Sequence, residues 1–341
     1  MAGWVEELML KTTLCRRLGI DYPIFSVGMG PAAGPDLAAA VSNAGGCGVL
    51  GGAAQSAPYL RRQIQRLRTL TAKPFGVNVV LAVMEKGQLE TCLDERVPLL
   101  VLFWGDAKPY VEDARRRGTK VLLQVGSVEE AVTAAEAGVD AIIAQGVEAG
   151  GHVKGTTSLS ALVPAIVEAV SPVPVLAAGG VASGRGIVAA LSFGAQAVSM
   201  GTRFLASAEA FVPHGYKDRI VKSTAEDTVY TQLFDIGWPG APHRVLRNKA
   251  VIEWDAAGRP SSGQRPGENT IIGTLQRGSK SVDVPRYWAL CATADFKGDL
   301  EYAALHAGES CGLVNDIKPA AEIVHSLMNE ASHVAARLHE M

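Results

Sequence analysis

The chain has 341 residues, of which 48% are hydrophobic and 19% charged, and its formal net charge is -2. This apolar content with so little net charge excludes disorder as the main state. The balance of 32 Lys+Arg against 34 Asp+Glu leaves no global basic surface for a nucleic acid. The length allows one large domain or two smaller ones.

The cysteines are odd in number, widely spaced and without a CxxC pair: Cys15, Cys47, Cys92, Cys291 and Cys311. This pattern is typical of free thiols in a reducing compartment, not of a disulfide framework or a zinc site. Glu6 and Glu7 interrupt the N-terminal apolar runs, which argues against a signal peptide. The other apolar runs are shorter than the ~20 residues of a membrane span. We therefore expect a soluble, cytoplasmic protein without metal, membrane or nucleic-acid partners.

A repeated unit follows, in which a short apolar run, a Gly-rich break and an amphipathic helical stretch succeed one another. The apolar runs lie at 22–28, 46–52, 75–81, 99–105, 120–126, 141–146, 174–180 and 197–201. Several are almost continuously hydrophobic, as expected for parallel strands whose two faces are both covered.

Three of the helical stretches between these runs lie at 34–45, 127–138 and 183–194. The second and third begin with Ser127 and Ser183, which can cap a helix, and all three end in Gly. Eight strands separated by helices predict a closed (β/α)8 TIM barrel. An open doubly wound sheet is the alternative that periodicity leaves open.

After residue 206 the rhythm changes, and six Pro and three Trp are spread over 207–300. We expect 207–306 to form a smaller, mainly helical lid or substrate region, and 1–206 with 307–341 to form the barrel. A polar, turn-rich stretch predicts a loop at 255–270, and apolar residues at helical spacing predict a terminal helix within 316–338.

Two Gly-rich turns follow the last two predicted strands. Gly179 and Gly180 follow the seventh strand, and Gly201 and Thr202 follow the eighth. Without a Cβ atom the backbone N–H groups of such turns can approach a phosphate, and the start of the next helix favours negative charge. A phosphate site at these two turns recurs in this fold. The alternative is that the glycines only form tight turns.

His152 follows Gly150 and Gly151 just after the sixth predicted strand. At the C-terminal end of a barrel such a histidine can reach the centre of the site as a base or a hydrogen-bond donor. For the other six histidines a structural or surface role is expected: His214, His243, His306, His325, His333 and His339.

Amide side chains interrupt three apolar strands, at Asn78, Gln124 and Gln145. A buried amide needs a hydrogen-bond partner, because leaving it unpaired costs about 1–3 kcal/mol. A polar heterocycle bound in the barrel would supply one, and so would the backbone of a neighbouring loop. Gly28 and Met29 lie on the first loop, where the backbone could contact a flat ring or could only form a turn.

Five segments in this order resemble the nitronate monooxygenase family: residues 22–52, 74–78, 137–155, 174–186 and 197–207. The segment at 307–324 also resembles the C-terminal part of that family. The AGGH motif at 149–152, together with the AAGG motif at 177–180 and the MGTRF motif at 200–204, is specific to a superfamily. That superfamily also contains flavin-dependent enoyl-acyl-carrier-protein reductases and some NAD(P)H:quinone reductases.

The resemblance implies a TIM barrel that binds FMN without a covalent bond. It implies that the FMN phosphate is held by Gly179, Gly180, Gly201 and Thr202. It implies that the ring system contacts Gly28, Met29, Asn78, Gln124, Gly150 and Gly151, and Gln145 is a further candidate for cofactor binding. His152 matches the catalytic histidine of the family. The implied activity is oxidation of an alkyl nitronate with O2 to a carbonyl compound and nitrite.

Gln124 and Gln145 are neutral amides at positions where some relatives carry Lys and Asp, and a neutral amide stabilises a flavin anion less than a cation does. Two other functions therefore stay open. One is an NAD(P)H-dependent flavin reductase of an enoyl thioester or quinone. The other is a protein that binds a phosphorylated metabolite without redox activity. The expected partners are a small substrate and O2, and the sequence also allows a homodimer.

Overall fold

The computed structural model describes residues 10–277 and 280–340. Strands are numbered along the chain. The barrel strands are β1 Ile24–Ser26, β2 Gly48–Gly51, β3 Phe75–Val80, β4 Leu99–Phe103, β5 Lys120–Val125, β6 Ala141–Gln145, β8 Val175–Ala178 and β9 Ala197–Met200. They pair in the order β1-β9-β8-β6-β5-β4-β3-β2, and every pairing is parallel. Each strand lies within one of the eight predicted runs.

The first and last strands of this order also meet. A parallel bridge joins Phe25 to Cys47, the Cys47 N–H donates to the carbonyl of Ile24 at 2.8 Å, and the Ser26 N–H donates to the carbonyl of Cys47 at 3.1 Å. The sheet therefore closes into a barrel. The predicted TIM barrel is confirmed, and the doubly wound alternative is excluded.

Helices alternate with the barrel strands, as the repeated unit predicted. Those of the barrel are α1 Thr13–Leu18, α2 Pro35–Asn43, α3 Ala57–Leu70, α4 Gln88–Asp94, α5 Lys108–Arg116, α6 Val128–Glu136, α7 Leu159–Val170, α8 Gly184–Ser192 and α9 Thr202–Leu205. Ser127 and Ser183 cap α6 and α8 as expected, since each side chain accepts a hydrogen bond from a backbone N–H of the first turn.

The barrel interior is filled at its N-terminal end. Leu14 and Leu18 of α1 belong to the same buried cluster as Phe25 and Val49 of the strands. Gln196 fixes this helix, because its side-chain Oε1 accepts from the Leu14 N–H at 2.9 Å. Space for a ligand therefore lies at the opposite end, where the strands finish.

The region 207–306 is mixed, which corrects the expectation of a mainly helical region. It contains the helices α10 His214–Lys222 and α11 Lys249–Ala256, and the strands β10 Thr228–Thr231, β11 His243–Leu246, β12 Ile271–Arg277, β13 Lys280–Pro285 and β14 Lys297–Gly298. β12, β13 and β14 form one small sheet, and β10 and β11 form another with β7, Gly151–His152. The strands are short and use Val, Ile and Thr, whose stiff side chains favour extended backbone.

The predicted terminal helix is α12, Ala320–His339, which packs on the barrel. Its Glu330 accepts a hydrogen bond from the N–H of Gly184 in α8 at 2.7 Å, and its His325 lies edge-on to Tyr22. The predicted loop is also present, although α11 continues to Ala256 before it begins. Within residues 10–277 and 280–340, no helix combines the length and apolar character needed to cross a membrane.

Candidate active site

A cavity of about 370 Å³ opens at the C-terminal ends of the barrel strands. This is the end at which β/α barrels carry their active sites. All twelve residues singled out in the sequence line it: Gly28, Met29, Asn78, Gln124, Gln145, Gly150, Gly151, His152, Gly179, Gly180, Gly201 and Thr202. The fold therefore brings together positions that are up to 174 residues apart in the chain (Gly28 to Thr202).

The two Gly-rich turns are neighbours, because β8 pairs with β9. Gly179 and Gly180 have φ values of +106° and +68°, a left-handed backbone that L side chains rarely adopt. Beside them Gly201 precedes α9, and the Thr202 hydroxyl accepts from the N–H of Gly308 at 2.9 Å. That hydroxyl keeps its own hydrogen to donate. The two turns can therefore present backbone N–H groups and one hydroxyl to an anion.

The N-terminus of α8 is already occupied by protein groups. The carboxylate of Glu330 accepts from Gly184, and Ser183 accepts from Gly186 at 3.2 Å. α9, the helix after the second turn, has only four residues, so its dipole adds little. An anion at this end of the barrel would depend on the turns themselves, with less helix contribution than the sequence indicated.

Asn78 has the backbone partner that a buried amide requires. Its Nδ2 donates to the carbonyl of Val101 on the adjacent strand at 3.0 Å. Gly28 passes directly against it, because a Cβ atom at Gly28 would lie 2.4 Å from the Cβ of Asn78. The first loop therefore needs glycine for this close approach. In the described part of the chain, the Gln124 side chain makes no hydrogen bond, and it faces the cavity.

Gln145 is committed to the segment that carries the histidine. Its Nε2 donates to the carbonyl of His152 at 2.9 Å, and its Oε1 accepts from the N–H of Lys154 at 3.4 Å. Both ends of the amide thus bind backbone groups. The geometry favours a positioning role for Gln145, even though it lines the cavity.

His152 lies on β7, which leaves the barrel and pairs with β11. Its imidazole stacks on the indole of Trp238, with ring centroids 4.0 Å apart and planes 27° apart. Trp104 lies edge-on at 6.4 Å. The Nε2 atom of His152 is buried and has no hydrogen-bond partner among the described residues. The ring is therefore held by aromatic contacts, and one nitrogen remains available to a ligand.

Two further histidines complete an imidazole cluster, which we define as His152, His243 and His306. Both lie 5.5 Å from His152 between ring centroids. His243 is structural, as expected, because its Nδ1 faces the carbonyl of Ala241 at 2.9 Å and its Nε2 accepts from the N–H of Phe234 at 3.2 Å. His306 departs from the expectation, because it lines the cavity.

Trp238 and His306 are the two aromatic cavity residues in contact with His152 that sequence reasoning missed. A signal existed for each. Trp238 lies between Gly237 and Gly240, much as His152 follows Gly150 and Gly151. His306 directly precedes the C-terminal segment at 307–324 that carried part of the family resemblance.

Burial keeps the imidazole cluster neutral near pH 7. It lowers the pKa of His152 well below 6.5, and the neighbouring His306 and His243 lower it further. Burial, followed by charge on His306, lowers the pKa of His243 to about 4. The pKa of His306 is also lowered by burial. A neutral imidazole with an unpartnered nitrogen, as in His152 and His306, can accept a proton from a substrate or a neighbour.

The rest of the cavity lining is almost free of charge. Among the described residues that line it, Glu85 is the one side chain with a formal charge at neutral pH. Burial raises the pKa of the Cys291 thiol to about 11 and that of the Tyr216 hydroxyl well above 10, so both stay protonated. The cavity therefore offers no Lys or Arg side chain to an anion.

The nitronate monooxygenase family profile matches residues 11–88 and 81–330. A 5-hydroxy-7a-methyl-1-oxo-octahydro-1H-indene-4-carboxyl-CoA dehydrogenase of Mycobacterium tuberculosis is 30% identical, over 95% of this chain and 97% of its own length. A probable nitronate monooxygenase of Staphylococcus aureus is 29% identical, over 95% and 98%. The solved structure of FabK from Thermotoga maritima is 36% identical with a TM-score of 0.82, covering 96% and 98% of the two chains.

The imidazole cluster predicts that the folded protein loses stability as the pH falls below about 6.5. The unfolded chain takes up protons on these rings near that pH, whereas the folded protein resists until lower pH, near 4 for His243. Each ring that stays neutral should reduce the free energy of unfolding by about 1.4 kcal/mol per pH unit in that window. Urea unfolding followed by circular dichroism at several pH values measures this slope.

His333 provides the control, because it is exposed and contacts only the backbone of its own helix. His333→Gln should leave the pH dependence of the unfolding free energy unchanged. His152→Gln should lower that slope by the contribution of one ring, about 1.4 kcal/mol per pH unit. A free energy of unfolding that is flat between pH 6.5 and 4.5 would show that the rings are protonated in the folded state.

Proposed function

The chain belongs to the nitronate monooxygenase family, and on that premise we propose that it uses FMN to exchange a hydride with the acyl end of a thioester. The family is one of flavin-dependent oxidoreductases, so the chain is an oxidoreductase. The choice of FMN, the substrate and the roles of the residues are the proposed parts.

The cavity suits FMN. The two turns would hold its phosphate through Gly179, Gly180, Gly201 and Thr202. The ring system would contact Gly28, Met29, Asn78, Gln124, Gly150 and Gly151, and Gln145 lines the same cavity. The cavity-facing Gln124 amide is free to bond to a polar heterocycle, and the close approach of Gly28 to Asn78 leaves a flat backbone surface. When bound, FMN supplies the two-electron chemistry.

The described residues that line the cavity beside His152 include no Lys or Arg, which supports a neutral substrate, and this observation carries the proposal. Burying an anion without a paired cation is costly. A nitronate is an anion, whereas the acyl end of a thioester is uncharged and its charged carrier can remain outside the cavity. The Mycobacterium tuberculosis relative is a carboxyl-CoA dehydrogenase by name. We therefore place the acyl end of such a substrate beside His152.

The proposed role of His152 is proton transfer at the carbon next to the thioester carbonyl. Reduction of an enoyl thioester adds one hydride and one proton, and His152 is the group that supplies the proton or, in the reverse direction, removes it. Trp238 limits the rotation of the ring through the 4.0 Å stacking contact. Gln145 positions the backbone of His152 through its 2.9 Å hydrogen bond.

The region 207–306 is proposed as the substrate region over the barrel formed by 1–206 and 307–341. Its support is that Trp238 and Ala289 of this region line the cavity beside His152. The proposed compartment is the cytoplasm, because the five cysteines are free thiols, as is typical of a reducing environment.

Nitronate oxidation is the second candidate. Its products would be a carbonyl compound and nitrite, with O2 as the oxidant. It is favoured by the family profile and by the probable nitronate monooxygenase of Staphylococcus aureus. A neutral imidazole at His152 could also remove a proton from an uncharged nitroalkane.

Flavin spectroscopy without oxygen separates the two candidates. We expect NADH or NADPH to remove the visible flavin absorbance, and a short enoyl-CoA such as crotonyl-CoA to restore it. Aerobic O2 uptake with an alkyl nitronate and no NAD(P)H, in place of that cycle, would favour the second candidate. A colourless protein that FMN cannot reconstitute would overturn both.

The phosphate turns predict that Gly180→Leu weakens FMN binding about tenfold or more. A leucine disfavours φ +68° and places bulk over the N–H groups that face the phosphate. The flavin absorbance per protein after gel filtration and the Kd from fluorescence titration measure this. Gly118→Leu is the matched control, because Gly118 also has a left-handed φ, +78°, but lies after α5 in open space. Full flavin occupancy in Gly180→Leu would refute the assigned turn.

His152→Ala should retain flavin and lose about 10²- to 10⁴-fold in kcat, the usual contribution of general acid–base catalysis. Flavin should stay because the phosphate turns are intact. Steady-state kinetics with the enoyl thioester measure the loss, and His333→Ala on the exposed end of α12 is the control. Unchanged kcat and KM in His152→Ala would remove His152 from the mechanism.

A further inference from the structure

The imidazole cluster contains two nitrogens that the protein leaves without partners. They are Nε2 of His152 and Nδ1 of His306, and both are buried. The third member, His243, has partners for both ring nitrogens. Buried polar atoms are normally hydrogen-bonded. Two unpartnered nitrogens on rings whose centroids are 5.5 Å apart therefore indicate that both bind the same partner, such as a ligand or a water molecule.

The tautomer of His306 follows from its neighbour. Its Nε2 lies 3.0 Å from the carbonyl oxygen of Ala289, which can only accept a hydrogen bond. The neutral ring therefore carries its hydrogen on Nε2, and Nδ1 presents a lone pair. A lone pair in this position can receive a proton while the Ala289 carbonyl holds the other side of the ring.

We propose that His306 is the proton acceptor that serves His152. When His152 takes a proton from the substrate, that proton moves to Nδ1 of His306 through one bridging water molecule, because the two unpartnered nitrogens are not hydrogen-bonded to each other. His152 returns to its neutral form and His306 becomes an imidazolium. Over the whole proposed reaction the substrate loses this proton and one hydride, so the acyl group ends uncharged. The reverse movement recharges His152 when a proton must be delivered. This inference rests on the proposed proton transfer by His152.

Two backbone groups favour the charged form of His306, one favours that of His243, and none favours that of His152. The backbones of Ala289 and Arg244 favour the charged form of His306 and partly oppose the effect of burial on its pKa. Charge on His306 in turn lowers the pKa of both His152 and His243. A proton on His306 therefore keeps His152 neutral, as a base must be.

No other described group facing the cluster competes for this proton. The Tyr216 hydroxyl donates to the backbone carbonyl of His306 at 2.6 Å, and its pKa is raised by burial. Burial likewise keeps Cys291 protonated. The guanidinium of Arg244 is bound to the carbonyl of Val147 and to Glu309, and Glu85 is the remaining charged group of the cavity lining.

Nitrogen NMR of the flavin-loaded enzyme with ¹⁵N-labelled histidine tests this directly. We expect the neutral His306 to carry its hydrogen on Nε2, and its Nδ1 to take up a proton at a higher pH than His152 or His243. A hydrogen on Nδ1 in the neutral state would overturn the proposal, as would earlier protonation of His152. The spectra need no substrate, so they decide this proposal even if thioester turnover is absent.

A variant pair tests the same point in catalysis. His306→Gln should lower kcat about 10- to 100-fold, leave KM little changed, and move the titration of His152 to higher pH, because the nearby positive charge is gone. His243→Gln removes an imidazole at the same centroid distance from His152, but one without a free nitrogen. In it, His306 should still be the first ring protonated. An unmoved pH profile of kcat in a folded His306→Gln would refute the proposal, and the wild-type spectra remain decisive if that variant does not fold.

Discussion

The pairing of β7 with β11 determines most of what this site can do. β7 has two residues, yet it takes the chain out of the barrel and joins it to the sheet of the neighbouring region. The pairing sets His152 opposite His243 and places the imidazole against the indole of Trp238. Gln145, at the end of β6, secures the other side of this segment. A barrel strand and a separate small sheet thus hold one imidazole between them.

The barrel could be predicted from sequence because its signals are local. Each strand is a short apolar run, and Ser127 and Ser183 mark the helix starts within a few residues. The cavity position of His152 could be predicted for the same reason, since Gly150 and Gly151 precede it directly. The small sheet of β7, β10 and β11 could not, because its strands are brief and its pairing joins segments about 90 residues apart.

The contacts between side chains that are distant in the chain also could not be predicted from the sequence. Nothing in the sequence near Gln145 shows that both ends of its amide bind backbone groups of the segment that carries His152. Trp238 and His306 line the cavity, although they lie more than 30 residues beyond the last barrel strand in the chain. The electrostatics of the site depend on the burial of side chains from both parts of the chain. Three imidazoles that would be partly charged in water are held neutral by burial, in a cavity whose other lining groups are nearly all uncharged.

The carboxylate of Glu330 on the first turn of α8 links a late part of the chain to an early one. The two residues are 146 positions apart, and a Cβ atom at Gly184 would lie 2.4 Å from the backbone nitrogen of Ala331. During synthesis, α8 leaves the ribosome well before its capping partner exists. The part of the barrel that contains α8 therefore lacks its contacts with α12 until the C-terminal residues have been synthesised. Contacts between residues so far apart in the chain slow folding. We therefore expect the surface of α8 that contacts α12 to be exposed to chaperones in the nascent chain.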